Sequence, residues 1–293
     1  MDNHTEKQAK FYDNKTRYSA RQAEFYDKNP PLTPWPKLLV KYGFSVLYKP
    51  REVFWKIYLD KLHLREKDKV LDLGCGQGVM LARLKKTYSI RGIGIDISER
   101  MIEYAKKNFS QDNLSYLRAN IEKIPFPDNT FDAVVSFDVL EHTAAYKKVI
   151  VEAFRVLKPG GKLLIYTMNK NYQYTLDWIW EKLGLDIFSR AAHDPKYFLD
   201  LKSLLNVLIK IRFNLLYARY YGGIFNLGVD EGIMVLVLLM QKLKAFKISI
   251  IGYVFLSFVN LLSICVYPIF QLFDSLWFLK SRSLGFIIIA EKQ

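Results

Sequence analysis

The sequence predicts an α/β fold, a doubly wound parallel sheet, on two observations. Apolar strands alternate with helical stretches of roughly ten residues from Lys69 to Thr167, and a glycine-rich turn closes the first strand. That first strand is Val70 to Leu73, with Gly74, Gly76 and Gly78 at alternate positions behind it and a helix from Val79 to about Thr87. Strand Ile90 to Ile95, helix Glu99 to Asn108 and strand Leu114 to Arg118 follow. Next come strand Phe131 to Phe137, a helix from about Ala144 to Leu157, the turn Lys158-Pro159-Gly160-Gly161 and strand Lys162 to Thr167. Leu216 to Tyr221 reads as a sixth strand, and Gly285 to Ala290 (GFIIIA) as a last one. Ligands of such sheets sit at the carboxyl ends of the strands near the switch in strand order, which is where the loop from Asp72 to Gly78 falls.

Composition narrows the partners. The chain has 293 residues, 51% of them hydrophobic, enough for a packed core. Its 43 basic and 29 acidic residues leave a net charge of +14, which suits a polyanion, either nucleic acid or an anionic membrane face. Only Cys75 and Cys265 occur, so a disulfide framework is not expected and a reducing compartment is favoured. The opening MDNHTEKQAK has no apolar core, so no signal peptide is expected.

Four segments in order resemble the class I S-adenosylmethionine (SAM) dependent methyltransferases, of the type 11 and quinone-pathway O-methyltransferase-like kind. They are VLDLGCGQG (Val70 to Gly78), GIDIS (Gly94 to Ser98), IPFPDNTFDAVVSFDVLEH (Ile124 to His142) and RVLKPGGKLLI (Arg155 to Ile165). The resemblance implies a seven-stranded Rossmann-like sheet whose antiparallel seventh strand, GFIIIA, lies beside the sixth. It implies SAM as cofactor, with the backbone of Gly74 and Gly76 at the methionine end and Asp72 near its ammonium. Asp96 would accept hydrogen bonds from both ribose hydroxyls. Asn120 stands where an aspartate more commonly meets the adenine amine, and its carbonyl can accept the same bond. Ile121 would offer its N–H and an apolar surface to the base, with Cys75, Gly78, Ile97 and Phe137 completing the implied binding set.

Methyl transfer from a sulfonium is an in-line displacement, so alignment supplies much of the acceleration. A base matters when the acceptor starts as a hydroxyl, and His142 and Glu141 are the catalytic candidates. The spacing Asp138-x-x-Glu141-His142 resembles the metal site of quinone-pathway O-methyltransferases and small-RNA methyltransferases, with His193 as a further ligand. A divalent cation such as Mg²⁺ would there draw a hydroxyl toward its oxyanion. The alternative stays open: a Leu-Glu-His segment without metal, in which His142 is a base or a substrate contact.

The second unusual segment is Ile248 to Phe273, 26 consecutive residues without a charge. Its polar residues Ser249, Tyr253, Ser257, Asn260, Ser263, Tyr267 and Gln271 recur every three or four positions, one stripe along a helix. Lys242, Lys244 and Lys247 precede it, while Lys280 and Arg282 follow, which places both ends on the cytoplasmic side. Because GFIIIA must return to the sheet, a monotopic hairpin fits better than a crossing. Four regions result: an N-terminal helical lid (1–45), the SAM-binding core (46–225), a hydrophobic, membrane-associated helical insertion (226–283) and the returning strand (284–293). An aromatic stretch with Tyr172, Tyr174, Trp178 and Trp180 is expected over the ligand end of the sheet.

The expectation is a SAM-dependent methyltransferase, peripheral or monotopic at the cytoplasmic face of a membrane, with a lipid-like or prenylated acceptor and O-methylation first. Nucleic acid is disfavoured as partner, and the oligomeric state is open. One alternative is a soluble, sugar or RNA substrate with the hydrophobic segment as a dimer interface; another is a SAM-binding membrane protein without catalysis.

Overall fold

The computed structural model describes residues 50–173, 175–184, 193–221 and 283–293. The lid, the striped segment Ile248 to Phe273, Tyr174 and the Trp180 side chain lie outside the described residues.

Strand β1 (Lys69–Leu73) pairs in parallel with β2 (Arg91–Asp96) on one side and β4 (Phe131–Phe137) on the other. β3 (Leu114–Arg118) flanks β2, and β5 (Leu157–Met168) flanks β4, both in parallel. β7 (Gly285–Lys292) runs antiparallel between β5 and β6 (Phe213–Tyr221), giving the order β3-β2-β1-β4-β5-β7-β6. The GFIIIA strand is therefore interior, and Phe286, Ile287, Ile288 and Ile289 are fully buried. A continuous apolar run suits a strand covered on both faces, and each such side chain stabilises the fold by about 1.5–3 kcal/mol. Asn169 anchors the chain's return, donating its amide to the Ser283 carbonyl at 3.0 Å while its backbone N–H donates to Leu284 at 2.8 Å.

Two apolar cores lie on the two faces, divided by the alternation of the strands. Leu71, Leu73, Val134, Phe286 and Ile288 meet α4 (Tyr146–Val156) and, beyond the short α5 (Leu176–Lys182) in sequence, α6 (Leu201–Lys210). Val70, Val135, Ile287 and Ile289 meet α1 (Pro50–Asp60), α2 (Val79–Tyr88) and α3 (Glu99–Phe109). The sequence reading lacked α6, whose signals are an Asp200 cap accepting from the Ser203 N–H and buried leucines at 201, 204 and 208. The Lys158 to Gly161 segment is a bulge within β5, not a turn before it. The register jumps from Phe131–Leu157 to Ala133–Lys162, and a Cβ on Gly161 would lie 2.8 Å from the Lys158 carbonyl.

The β3–β4 connection, which borders the ligand end, is held by Arg155 of α4. Its guanidinium donates to both oxygens of Glu152, to Asp128 and to the carbonyls of Ile124 and Phe126, while Glu152 accepts the Ile124 N–H at 2.8 Å. Such bidentate pairing fixes geometry as well as adding energy. Among the described residues, no helix is long and apolar enough to cross a membrane.

Candidate active site

The glycine turn is stitched to the end of β2. Cys75 N–H donates to the Ile95 carbonyl at 3.0 Å, and Gly76 N–H donates to Asp96 Oδ2 at 2.9 Å. Two of its glycines answer different needs. Gly78 (φ +82) would drive a Cβ to 2.7 Å from the Tyr116 ring, so helix packing demands it. At Gly76 (φ +49) a Cβ would meet only open space on the wall of a cavity, so the left-handed backbone is what favours glycine there.

That cavity, about 240 Å³, is lined by Gly74, Gly76, Asp96, Ile97, Asn120, Ile121, Asp138 and His142 among the residues expected from sequence. It adds Met101, Ala119, Glu122, Val139 and Thr143, which sequence reasoning missed. Asp96 is rigidly held, its Oδ1 accepting from the Ser98 N–H and its Oδ2 from Gly76, each at 2.9 Å. Asn120 behaves differently from expectation: its Oδ1 already accepts the Glu122 N–H at 2.8 Å, closing a local turn.

Other expected residues stand behind the wall. Asp72 is 2% exposed beneath the turn, and its Oδ2 has no hydrogen-bond partner among the described residues. Burial and the charge of Asp96 push its pKa up to about 8. Cys75 and Gly78 do not line the cavity, and burial raises the Cys75 thiol well above its usual range. Phe137 does not line the cavity; it packs edge-on against Trp55 at 5.1 Å, in a cluster where Trp55 also meets Tyr166 and Tyr221. Of the aromatic stretch, Tyr172 packs on Phe198, and neither it nor Trp178 lines the cavity.

The Leu140–His142 turn divides its polar residues. His142 faces the cavity, whereas Glu141 is 1% exposed, which removes it from direct contact with an acceptor. Glu141 Oε2 accepts the Thr167 hydroxyl at 2.6 Å, and Oε1 stands 3.7 Å from His193 Nε2. Burial and the nearby Asp138 charge push the Glu141 pKa up to about 8, while burial lowers His193 to about 4. The His142 and His193 rings stack with centroids 4.7 Å apart. Glu141, His142 and His193 each offer a ligand atom, all within 4.8 Å of one another. Asp138 is not part of that group; it lines the cavity at φ +53, a strained conformation of the kind found at functional sites. Two imidazoles and one carboxylate suit a first-row transition ion better than Mg²⁺, whose preferred ligands are oxygens.

A buried carboxylate oxygen without a partner under the turn is what an ammonium would satisfy, and the space beside Gly76 is what a cofactor would fill. A parallel sheet with an antiparallel strand between its fifth and sixth, and a glycine cradle tied to an acid at the end of β2, defines a SAM-dependent methyltransferase fold.

A family profile described as methyltransferase domain matches residues 71–165. The ubiquinone/menaquinone biosynthesis C-methyltransferase UbiE of Cronobacter sakazakii is 32% identical over 160 residues, 53% of this chain and 61% of that protein. The protein of the same name from Yersinia pestis is 30% identical over 196 residues, 59% of this chain and 78% of that protein. The Haemonchus contortus phosphoethanolamine N-methyltransferase 2 in complex with S-adenosyl-L-methionine shares the fold, with a TM-score of 0.56 at 18% identity over 80% of this chain and 51% of that one. The chain belongs to the class I SAM-dependent methyltransferases. It spans less than two thirds of the first relative's length, and both curated relatives are named for C-methylation. The O-methylation expected from sequence has no support among them.

Proposed function

We propose that this chain transfers the methyl group of SAM to a ring carbon of an apolar, hydroxylated aromatic acceptor of the quinone-precursor kind. The observation that carries it is His142 on the wall of a cavity that also presents Gly76 and Asp96, which joins a base to the cofactor end of the sheet. SAM supplies an electrophilic methyl and leaves as the neutral thioether. His142 takes the acceptor's hydroxyl proton, which makes the ring carbon beside it nucleophilic, and the carbon–carbon bond forms as the sulfur–carbon bond breaks. Loss of the ring proton from that carbon to solvent restores aromaticity, and the oxygen takes back the proton held by His142. Because such an anion can react at oxygen or carbon, alignment decides the product. The apolar segment Ile248 to Phe273 and the net charge of +14 support an acceptor drawn from an anionic membrane. Incubating the full chain with methyl-labelled SAM and a total lipid extract is expected to move label into the apolar fraction, in a form resistant to ether cleavage. Label confined to water-soluble or RNA fractions overturns the acceptor class.

A second reading is favoured by the convergence of Glu141, His142 and His193: a divalent transition ion held there, with Thr167 steering Glu141. Elemental analysis of the purified chain is expected to find about one ion per chain, lost in His193→Ala. Metal-free protein with full activity in chelator excludes it.

A further inference from the structure

Strand register fixes where residues 222–282 leave the core and rejoin it. Tyr221, the last residue of β6, pairs with Gly285, the first of β7, and Gly285 pairs with Met168, the last of β5. Close by, Asp138 on the cavity wall donates its N–H to the Tyr166 carbonyl at 3.0 Å. Both ends of the intervening stretch therefore stand at the carboxyl end of the sheet, the end that holds the cavity. Asn169 fastens the point of return: it is fully buried, its amide also reaches Ser283 Oγ at 3.2 Å, and its Oδ1 accepts the Asn171 N–H. In sequence, Lys280 and Arg282 come just before Ser283, at the close of a stretch that contains the uncharged run Ile248 to Phe273.

The short helix α5 is rooted at the same end. Its cap Thr175 donates to the Tyr172 carbonyl at 2.7 Å, and Tyr172 packs with Met168, Phe198 and Leu284. Leu183, just past α5, is 66% exposed, the most exposed large apolar side chain among the described residues. Trp178 is half-buried, with the Lys182 ammonium 5.9 Å from its ring centroid, and Lys170 is exposed nearby in sequence. Lys196, bridged to Asp194, lies 4.7 Å from the Tyr197 ring. An exposed leucine beside aromatic rings that carry lysines matches a lipid headgroup boundary, where rings lie among the glycerol esters and ammonium groups reach phosphates. The lysines at the opposite end, Lys85, Lys86, Lys106, Lys107 and Lys210, stand in the last turns of α2, α3 and α6, where the helix dipole already accounts for them. We propose that the carboxyl end of the sheet docks on an anionic lipid bilayer, with Trp178 and Leu183 in the headgroup layer and Lys170 and Lys182 on lipid phosphates. The cavity then opens toward the leaflet, and an apolar acceptor presents its ring while its tail stays in lipid. This orientation rests on the reading that the acceptor is drawn from a membrane.

Cosedimentation of the full chain with phosphatidylglycerol–phosphatidylcholine vesicles tests this. Leu183→Asp is expected to lose about tenfold in vesicle affinity, at an unchanged melting temperature because the side chain is exposed. Ile209 supplies the control: it is 57% exposed near the end of α6, just before β6 begins at Phe213 opposite Lys292, the amino end of the sheet. Ile209→Asp is expected to bind vesicles as the wild type does. With methyl-labelled SAM, Leu183→Asp is expected to lose turnover on a lipid extract presented in vesicles and to keep it on the same extract dispersed in detergent. Equal vesicle binding by Leu183→Asp and the wild type, or a larger loss in Ile209→Asp, overturns the orientation and leaves the membrane-drawn acceptor standing. A wild-type chain that ignores anionic vesicles yet methylates the detergent-dispersed extract overturns the membrane source and the docking together.

Discussion

Replacing Asp96 with alanine is expected to abolish measurable SAM binding. Hydrogen bonds to a charged partner contribute about 1.5–3 kcal/mol each, so losing two ribose bonds weakens affinity by roughly a hundredfold to ten-thousandfold. The structure adds a second cost. Asp96 also accepts the Gly76 and Ser98 N–H groups, so alanine strips the turn of its tie to β2 and α3 of the bond that shapes its N-cap, Ser98. Asp96→Asn separates the two contributions: its single oxygen can keep one backbone tie, while its amide offers a donor where the ribose hydroxyls seek an acceptor. Calorimetry on both variants, with melting temperatures alongside, checks the ordering alanine, then asparagine, then wild type. Equal affinity in all three removes Asp96 from the ligand and the turn from SAM.

How far the site could be read from sequence follows the range of its interactions. The turn, Asp96 and the wall at Asn120 and Ile121 belong to segments in which strand, turn and cap are encoded by adjacent residues, and the structure brings them to one cavity. What required the fold are pairs distant in sequence. Thr143 reaches Glu122, and Thr167 reaches Glu141, across separations that no periodicity reports. Thr167 carried one faint sign, a polar residue closing an otherwise apolar buried strand. Phe137, which the resemblance implies for the cofactor, is not among the residues that line the cavity. Strand alternation instead turns it to the face where Trp55 lies, and α1 had no motif to announce that contact. The Asp138-x-x-Glu141-His142 spacing read as one ligand set, but the 3₁₀ turn of Leu140 to His142 sends Glu141 inward and leaves Asp138 on the cavity wall.

Binding of SAM is expected to release nearly one proton per chain at pH 6.5. Asp72 is buried with its pKa pushed up to about 8, against 3.8 for the free side chain, so the ligand-free site holds a neutral acid at that pH. An ammonium brought beside it favours the carboxylate and drives the proton off. The ligand's own α-amino group, with a pKa of about 7.7–8.0, is almost fully protonated at pH 6.5 and so contributes little. Titrations in buffers of different ionisation enthalpy read the proton directly, and S-adenosylhomocysteine, which shares the amino group but lacks the sulfonium, is expected to release the same amount. The same raised pKa shapes the ligand-free protein's stability. Between about pH 4 and pH 8 the native state holds a proton that the unfolded chain has lost, so Asp72 makes stability fall as pH rises through that window and adds no further slope above it. Asp72→Asn is expected to abolish the proton release, flatten that slope and weaken SAM by roughly tenfold to a thousandfold, because an amide cannot answer a buried ammonium with charge. Proton release from Asp72→Asn equal to wild type would transfer the titration to another group. Equal SAM affinity would leave the buried acid with a purely structural role beneath the turn.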